Sequence, residues 1–190
     1  MGGIAIWCMH FIGNRAIVLG AGQSHTQISY SAGFTALSFF IPVLVFLVTF
    51  WAAGSNESVS VMRLSLGGTL AGLGICGMHY LGQAGIANYD CIYTVAYVIG
   101  AAIIAVGASI GALGAFFLFR SSWDTSWWKR AFCSVLLAGA VSGMHWLASV
   151  GTQYRLRKVG HNLPSTFTRN SPVIVVIVLV SKSFLLQENF

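Results

Sequence analysis

Residues 72–82 read GLGICGMHYLG, an uncharged stretch in which small residues flank Met78, His79 and Tyr80. This stretch ends a longer apolar run over residues 64–82 that contains no Asp, Glu, Lys or Arg. A helix of about 20 mostly apolar residues is long enough to cross the roughly 30 Å hydrocarbon core of a bilayer. The stretch therefore predicts the last turns of a membrane-spanning helix.

The rest of the chain is similarly apolar. Hydrophobic residues make up 56% of its 190 residues. Charged residues make up only 7%, whereas about a quarter of the residues in a soluble domain are charged. Three further uncharged runs are long enough to span a bilayer: residues 34–53, 93–119 and 131–151. The composition excludes an ordinary soluble enzyme and predicts an all-α fold, a polytopic transmembrane helical bundle in a lipid bilayer.

Two shorter apolar runs lie near the ends of the sequence. Residues 1–13 are too short to span, and residues 173–180 form an aliphatic run that Lys182 follows. The second run predicts either a last span with a lysine reaching the interface or a β-like segment that does not insert. We expect residues 1–151 to form one transmembrane domain with an incomplete first helix. Residues 152–190 are expected to form a basic loop and a last partial span.

The charge pattern limits the possible functions. The formal net charge of +6 arises because the chain has ten Lys and Arg but only four acidic residues. The basic residues are dispersed and no nucleic-acid-binding motif accompanies them, so no nucleic-acid partner is predicted. Four scattered carboxylates do not readily supply an acid–base pair, and we predict a role other than catalysis.

The pattern of residues 72–82 occurs twice more. Residues 3–13 read GIAIWCMHFIG and residues 138–148 read AGAVSGMHWLA, with the Met residues 69 and 66 positions apart. This period equals two helices and their connections, so the bundle is predicted to be built from a repeated two-helix unit. Because the three helices run in the same direction, their Met-His pairs are expected at one membrane depth.

The repeat supplies six candidate metal ligands. An imidazole inside a membrane is costly, and three at equivalent positions point to a function. Thioether sulfur and imidazole without carboxylates favour copper, above all Cu(I). The alternatives are methionines that only pack between helices, histidines that bond a carbonyl or a water molecule, and a haem held by two of the histidines. The six residues are Met9, His10, Met78, His79, Met144 and His145.

Other chemically active residues carry weaker signals. Cys8 and Cys76 are interpreted as small apolar residues that fill gaps between helices. Cys91 is a candidate auxiliary ligand, since its predicted loop lies on the Met-His side. His25 and His161 are expected in solvated loops.

The three pairs, the small residues before them, and Tyr89 and Asp90 after the second pair resemble the MHYT domain. This family of multi-spanning bacterial and fungal membrane proteins is named after a Met-His-Tyr-Thr motif. The resemblance covers residues 1 to about 151. The motifs here read MHFI, MHYL and MHWL, without the Thr and without the family's usual upstream helix. A shortened or fungal-type member is therefore expected.

The resemblance implies an integral, multi-pass sensory domain of a plasma or cytoplasmic membrane. It implies that the six Met and His residues bind copper and, through it, a diatomic gas (O2, CO or NO). It also implies a downstream signalling protein of unknown identity. Two alternatives remain at this stage: a haem or copper membrane oxidoreductase, and a bundle that transports copper.

Overall fold

The computed structural model of the protein describes residues 2–20, 27–54, 60–118, 127–157, 166–168 and 170–187. Six helices and four short strands lie in these ranges. In chain order they are α1 (Gly2–Arg15), β1 (Tyr30–Ser31), α2 (Ala32–Gly54), α3 (Val61–Ala84), β2 (Tyr89–Tyr93), α4 (Val95–Leu118), α5 (Trp127–Val150), β3 (Thr152–Leu156), β4 (Thr166–Phe167) and α6 (Ser171–Gln187).

The four predicted spans are helices α2 to α5, and each is long and apolar enough to cross a membrane. The helices extend beyond some of the apolar runs. Helix α3 begins at Val61 and includes Arg63, while α5 begins at Trp127 and includes Lys129. A long basic side chain at a helix end reaches the membrane interface, so the helix continues where the apolar run stops. The predicted all-α membrane bundle is confirmed.

Helix α2 places polar side chains inward and apolar side chains outward. Thr35, Ser38 and Thr49 are buried, whereas Leu44 and Leu47 are about 60% exposed. Lipid tails solvate leucine as well as a protein interior does, so burying small residues allows neighbouring helices to approach closely. The exposed leucines therefore mark the surface that faces lipid.

Helix α3 lies between α2 and α4, and α4 also contacts α5. A Cβ added at Gly72 would lie 2.5 Å from the Cα of Val106, and one added at Gly68 would lie 2.7 Å from the Cα of Ile110. These glycines therefore bring the backbones of α3 and α4 into direct contact. Helix α1 contacts α2, α3 and α5, which brings the three helices that carry Met-His pairs together.

The two shorter apolar runs near the ends of the sequence are both helical in the structure. Helix α1 has 14 residues, and α6 has 17 residues and contacts α1. The β-like alternative for residues 173–180 is therefore wrong. A run of eight aliphatic residues fits either a strand or a buried helix, because periodicity alone does not distinguish the two. The contact with α1 is a tertiary interaction, which the local sequence does not reveal.

Short strands lie before α2, after α3 and after α5, where the sequence predicted only loops. β2 pairs antiparallel with β3, placing Cys91 opposite Tyr154, and β1 pairs with β4. The β2–β3 ribbon joins the segment that follows α3 to the segment that follows α5. Residues 152–156 thus pair with the preceding part of the chain, and the domain boundary at residue 151 stays a prediction.

Candidate metal centre

Three histidines from three helices meet inside the bundle. His10 on α1, His79 on α3 and His145 on α5 are 0%, 1% and 7% exposed. Nδ1 of His79 lies 3.1 Å from Nδ1 of His10 and 3.2 Å from Nδ1 of His145. The rings pack edge to face, with centroids 4.9 to 5.2 Å apart. We call these three residues the histidine triad.

Glycine on a neighbouring helix makes room for two of these rings. A Cβ added at Gly82 on α3 would lie 2.4 Å from Nε2 of His10, and one added at Gly13 on α1 would lie 2.5 Å from Nε2 of His145. Small residues at equivalent positions of membrane helices commonly admit a neighbouring backbone. These two glycines instead admit an imidazole, and each fixes a ring with Nε2 at the glycine and Nδ1 towards the other histidines.

Hydrogen bonds among the three histidines cannot pair all of their ring nitrogens. A neutral imidazole has one protonated nitrogen and one acceptor nitrogen with a single lone pair. If Nδ1 of His79 is bare, it offers one lone pair to two neighbours; if it is protonated, it donates one hydrogen to only one of them. Nε2 of His79 is also buried without a hydrogen-bond partner. The apo triad therefore leaves at least one buried ring nitrogen poorly paired.

These distances and this donor set fit a metal ion. Ligand nitrogens about 2.0–2.1 Å from one tetrahedral ion lie about 3.3–3.4 Å apart. The two Nδ1 separations are close to this value, and the three ligand atoms all lie within 4.8 Å of one another. A cation at the centre would accept all three Nδ1 lone pairs at once. Among the residues that the structure describes, the triad is the one such group of His, Cys, Asp or Glu side chains.

The structure does not gather the three predicted methionine ligands in one apolar cluster. Met78 is buried with Trp7 and Phe11, whereas Met144 is buried with Ile75 and Cys76. Met9 is partly exposed and lines a cavity. The repeat thus brings the histidines together in direct contact, while a ligand role for Met9, Met78 and Met144 stays a prediction.

Apolar residues lie one helical turn before each histidine. Ile6, Ile75 and Val141 occupy these three positions and line a cavity of about 530 Å³. The cavity extends away from the triad towards Phe50 and Phe116 at the opposite helix ends. We call the three aliphatic residues the aliphatic layer; they separate the triad from the more open half of the bundle.

Polar residues lie one helical turn after each histidine, and the sequence analysis missed them. The residues are Asn14, Gln83 and Ser149, which we call the polar layer. Asn14 and Gln83 are at most 1% exposed. The signal was present in the sequence, since the same repeat that aligns the Met-His pairs also aligns a polar side chain four residues after each His.

The β2–β3 ribbon contacts Gln83 of the polar layer through uncharged groups. Nε2 of Gln83 donates a 3.2 Å hydrogen bond to the hydroxyl of Tyr154. Burial raises the pKa of Tyr154 to about 12 and the pKa of Cys91 to about 11. The Cys91 thiol donates to the backbone oxygen of Gln83 at 3.6 Å. Burial therefore favours the neutral thiol of Cys91, and its role as an auxiliary metal ligand stays a prediction.

The remaining candidates have simple placements. Cys8 and Cys76 are buried in the two separate apolar clusters, as expected for residues that fill gaps between helices. His25 and His161 lie outside the described residues.

Two segments of the chain, residues 3–67 and 72–127, match the MHYT family, described as a bacterial signalling protein N-terminal repeat. Both segments include a Met-His pair of the repeat. No solved structure matches the chain.

Three curated relatives share most of this chain. The bifunctional diguanylate cyclase/cyclic di-GMP phosphodiesterase MucR of Pseudomonas aeruginosa is 32% identical over 81% of the chain. The cyclic di-GMP phosphodiesterase NbdA of the same organism is 28% identical over 75%, and the signalling protein YkoW of Bacillus subtilis is 26% identical over 80%. The matched region covers 22%, 18% and 18% of these relatives, so the chain corresponds to about a fifth of their length.

Proposed function

The chain belongs to the MHYT family, a membrane sensory domain of signalling proteins, and from this premise we propose that its histidine triad binds a single copper ion. The observation that carries the proposal is the contact of three buried Nδ1 atoms from α1, α3 and α5. Hydrogen bonds among three neutral imidazoles leave this contact unsatisfied, whereas one cation satisfies all three lone pairs.

Charge favours a monovalent ion at this position. Asp90 is the acidic residue within the described ranges, and it lies exposed on the ribbon, paired with Arg157. The desolvation cost of an ion grows with the square of its charge, and neutral imidazoles do not offset that charge. Cu(I) therefore enters the triad at lower cost than Zn²⁺ or Cu²⁺, and imidazole is a ligand that copper accepts.

A triad of ligands leaves a coordination position for a small molecule. We propose O2, CO or NO as this molecule, as the family resemblance implies. Bound copper would supply a soft Lewis-acid centre for such a ligand. The chain's own residues exclude bulk water, since the three histidines are buried between the aliphatic layer on one side and the buried Asn14 and Gln83 on the other.

The triad also suggests how a signal leaves the site. It joins three helices through side-chain contacts shorter than those of ordinary packing, so a change at the centre changes the spacing of α1, α3 and α5. Packed helices respond to such changes by small shifts. We propose that the domain is not itself an enzyme. It passes the shift to a signalling protein in a plasma or cytoplasmic membrane, with cyclic di-GMP turnover, named in two of the relatives, as the output.

Metal analysis of purified protein tests the proposal. The full chain is purified in detergent, loaded anaerobically with Cu(I), and passed over a desalting column. We expect one copper per chain in the wild type and less than a tenth of that in the variant with His10→Ala, His79→Ala and His145→Ala. The matched control replaces the chain's other two histidines, His25→Ala and His161→Ala, and retains the metal.

Copper content equal in the wild type and the triad variant would overturn the proposal. The alternatives give different results. A Soret band would indicate haem, although direct ring contacts leave no space for a porphyrin between any two of these imidazoles. Copper uptake into proteoliposomes would indicate transport, and a sensory domain shows none.

A further inference from the structure

The polar layer is a repeated feature that the proposed copper site does not use. Each of its three members stands four residues after a triad histidine, one helical turn further along its helix. Oδ1 of Asn14 and Oγ of Ser149 are buried without a hydrogen-bond partner, although both are good acceptors. Buried polar atoms are normally paired, so these unpaired acceptors call for an explanation.

Asn14 is the member that contacts the triad. Its Nδ2 lies 3.1 Å from Nε2 of His10, so the amide donates to that nitrogen in this arrangement. An acceptor Nε2 requires the His10 proton on Nδ1, since a neutral imidazole carries one proton. Nδ1 is the atom that faces His79. The amide of Asn14 thus stabilises the tautomer in which His10 has no Nδ1 lone pair for a metal.

The opposite orientation of the same amide has the opposite effect. Turning the amide by half a rotation places Oδ1, the atom now without a partner, beside Nε2 of His10. Oδ1 can only accept, so this orientation stabilises a proton on Nε2 and leaves Nδ1 bare. The ring itself keeps its orientation, because Nε2 occupies the space that Gly82 leaves by having no side chain. The amide of Asn14 turns by half a rotation, and the His10 proton moves from Nδ1 to Nε2.

We propose that Asn14 is a positioning residue whose amide orientation selects the ligating tautomer of His10. The amide group donates to Nε2 in the apo protein and accepts from Nε2–H when Nδ1 binds a cation. In this change His10 loses one proton from Nδ1 and gains one at Nε2, so its charge stays the same. The copper-bound state of this inference rests on the proposed copper site, whereas the apo state does not depend on any metal. Histidine ligands are commonly oriented by such a hydrogen bond from their other ring nitrogen.

The apo state is tested without metal, by NMR of the full chain in detergent with ¹⁵N-labelled histidine. Long-range proton–nitrogen correlations report which ring nitrogen carries the proton, and the His10 signal is assigned by its loss in His10→Gln. We expect the Nδ1–H tautomer in the wild type. Asn14→Leu, which keeps the volume but removes the amide, is expected to give a mixture of tautomers. A wild-type tautomer pattern in the Leu variant would overturn the inference.

The loaded state is tested by competition between the protein and a chelator for Cu(I). Loss of the hydrogen bond to the non-ligating ring nitrogen of a histidine ligand reduces metal affinity by about 10- to 100-fold. We expect a reduction in this range for Asn14→Leu. Asn14→Asp keeps an acceptor oxygen and is expected to stay within about 3-fold of the wild type, which a purely structural role of the amide would not predict. The control is Thr49→Val on α2, a buried polar residue of the opposite half, which leaves the affinity unchanged.

The outcomes separate this inference from the proposed function. Absence of Cu(I) binding in the wild type would refute the copper site but leave the apo tautomer result to decide the role of Asn14. Equal Cu(I) affinity in the wild type and Asn14→Leu would refute the positioning role while the copper site stands. Thermal unfolding of each variant is recorded alongside, and Asn14→Asp decides the case if the Leu variant does not fold.

Discussion

The two halves of α3 use glycine for different purposes. In the first half, Gly68 and Gly72 admit the backbone of α4. In the second half, Gly82 admits the imidazole of His10, and Gly77 between them has nothing within 4 Å of an added Cβ. One helix thus contains glycines that admit a neighbouring backbone, a glycine that admits an imidazole ring and a glycine with no close neighbour. A stripe of small residues in a sequence therefore does not by itself indicate what approaches it.

The difference lies in what can move when a methyl group is added. The backbone of α4 is fixed by its own hydrogen bonds and by its contacts with α5, so α3 and α4 have to separate as whole helices. An imidazole can rotate about its side-chain bonds, at the cost of its position in the triad. The first half of α3 should therefore respond to substitution in stability and the second half in ligand binding.

Gly72→Ala is expected to have the largest effect on stability. The added Cβ would meet Cα of Val106 at 2.5 Å. Overpacking of this kind costs about 1–3 kcal/mol, and alanine regains about 1 kcal/mol over glycine inside a helix. We therefore expect a net loss of up to about 2 kcal/mol in the free energy of unfolding. Denaturant titration in mixed micelles measures it. Stability equal to the wild type would mean that α3 and α4 do not pack through backbone contact.

Gly82→Ala is expected to act mainly on the site. The added Cβ would lie 2.4 Å from Nε2 of His10 and displace the ring. We expect Cu(I) affinity to fall at least about 10-fold, with a loss of stability below about 1 kcal/mol, because a side chain can relieve the contact. Chelator competition and unfolding are measured on the same sample. A large loss of stability with unchanged affinity would reverse the comparison between the two halves.

Most of the fold could be predicted because hydropathy records where a helix meets lipid. The runs over residues 34–53 and 93–119 needed no tertiary information to be recognised as spans. The β2–β3 ribbon could not be predicted, because its register pairs residues more than 58 positions apart, such as Tyr93 with Thr152. No local pattern encodes that pairing, and the two segments are polar enough to be interpreted as loops.

The three histidines of the candidate site could be predicted from the repeat, but the separate placement of the methionines could not. The repeat placed His10, His79 and His145 at one depth, and the structure brings them into contact. Helical geometry rotates adjacent residues by about 100°, and this alone does not decide whether Met or His faces the centre. Neighbouring helices decide it: Gly13 and Gly82 provide space for imidazoles, while Met78 and Met144 pack into separate apolar clusters.

Gly77→Ala provides the matched control on α3 and the third prediction. Nothing lies within 4 Å of the added Cβ, so the substitution introduces no contact. Alanine is favoured over glycine inside a helix by about 0.8–1.0 kcal/mol. We expect stability to rise by up to about 1 kcal/mol and Cu(I) affinity to stay unchanged. A loss of stability would show that this face of α3 contacts something that the structure does not include, and the control would pass to Gly107 on α4, which is equally open.

Arg157→Ala is expected to have the smallest effect and extends the comparison to the ribbon. Nε and Nη2 of Arg157 donate to Oδ1 of Asp90 at 2.9 and 2.5 Å, but both side chains are about half exposed. Exposed ion pairs contribute about 0.2–1 kcal/mol and weaken with salt. We expect a loss of about 0.5 kcal/mol at low ionic strength that disappears in 1 M NaCl. The hydrogen bond between Gln83 and Tyr154 does not involve this ion pair, so Cu(I) affinity should not change. A fall in affinity would mean that the ribbon and the histidine triad are energetically coupled.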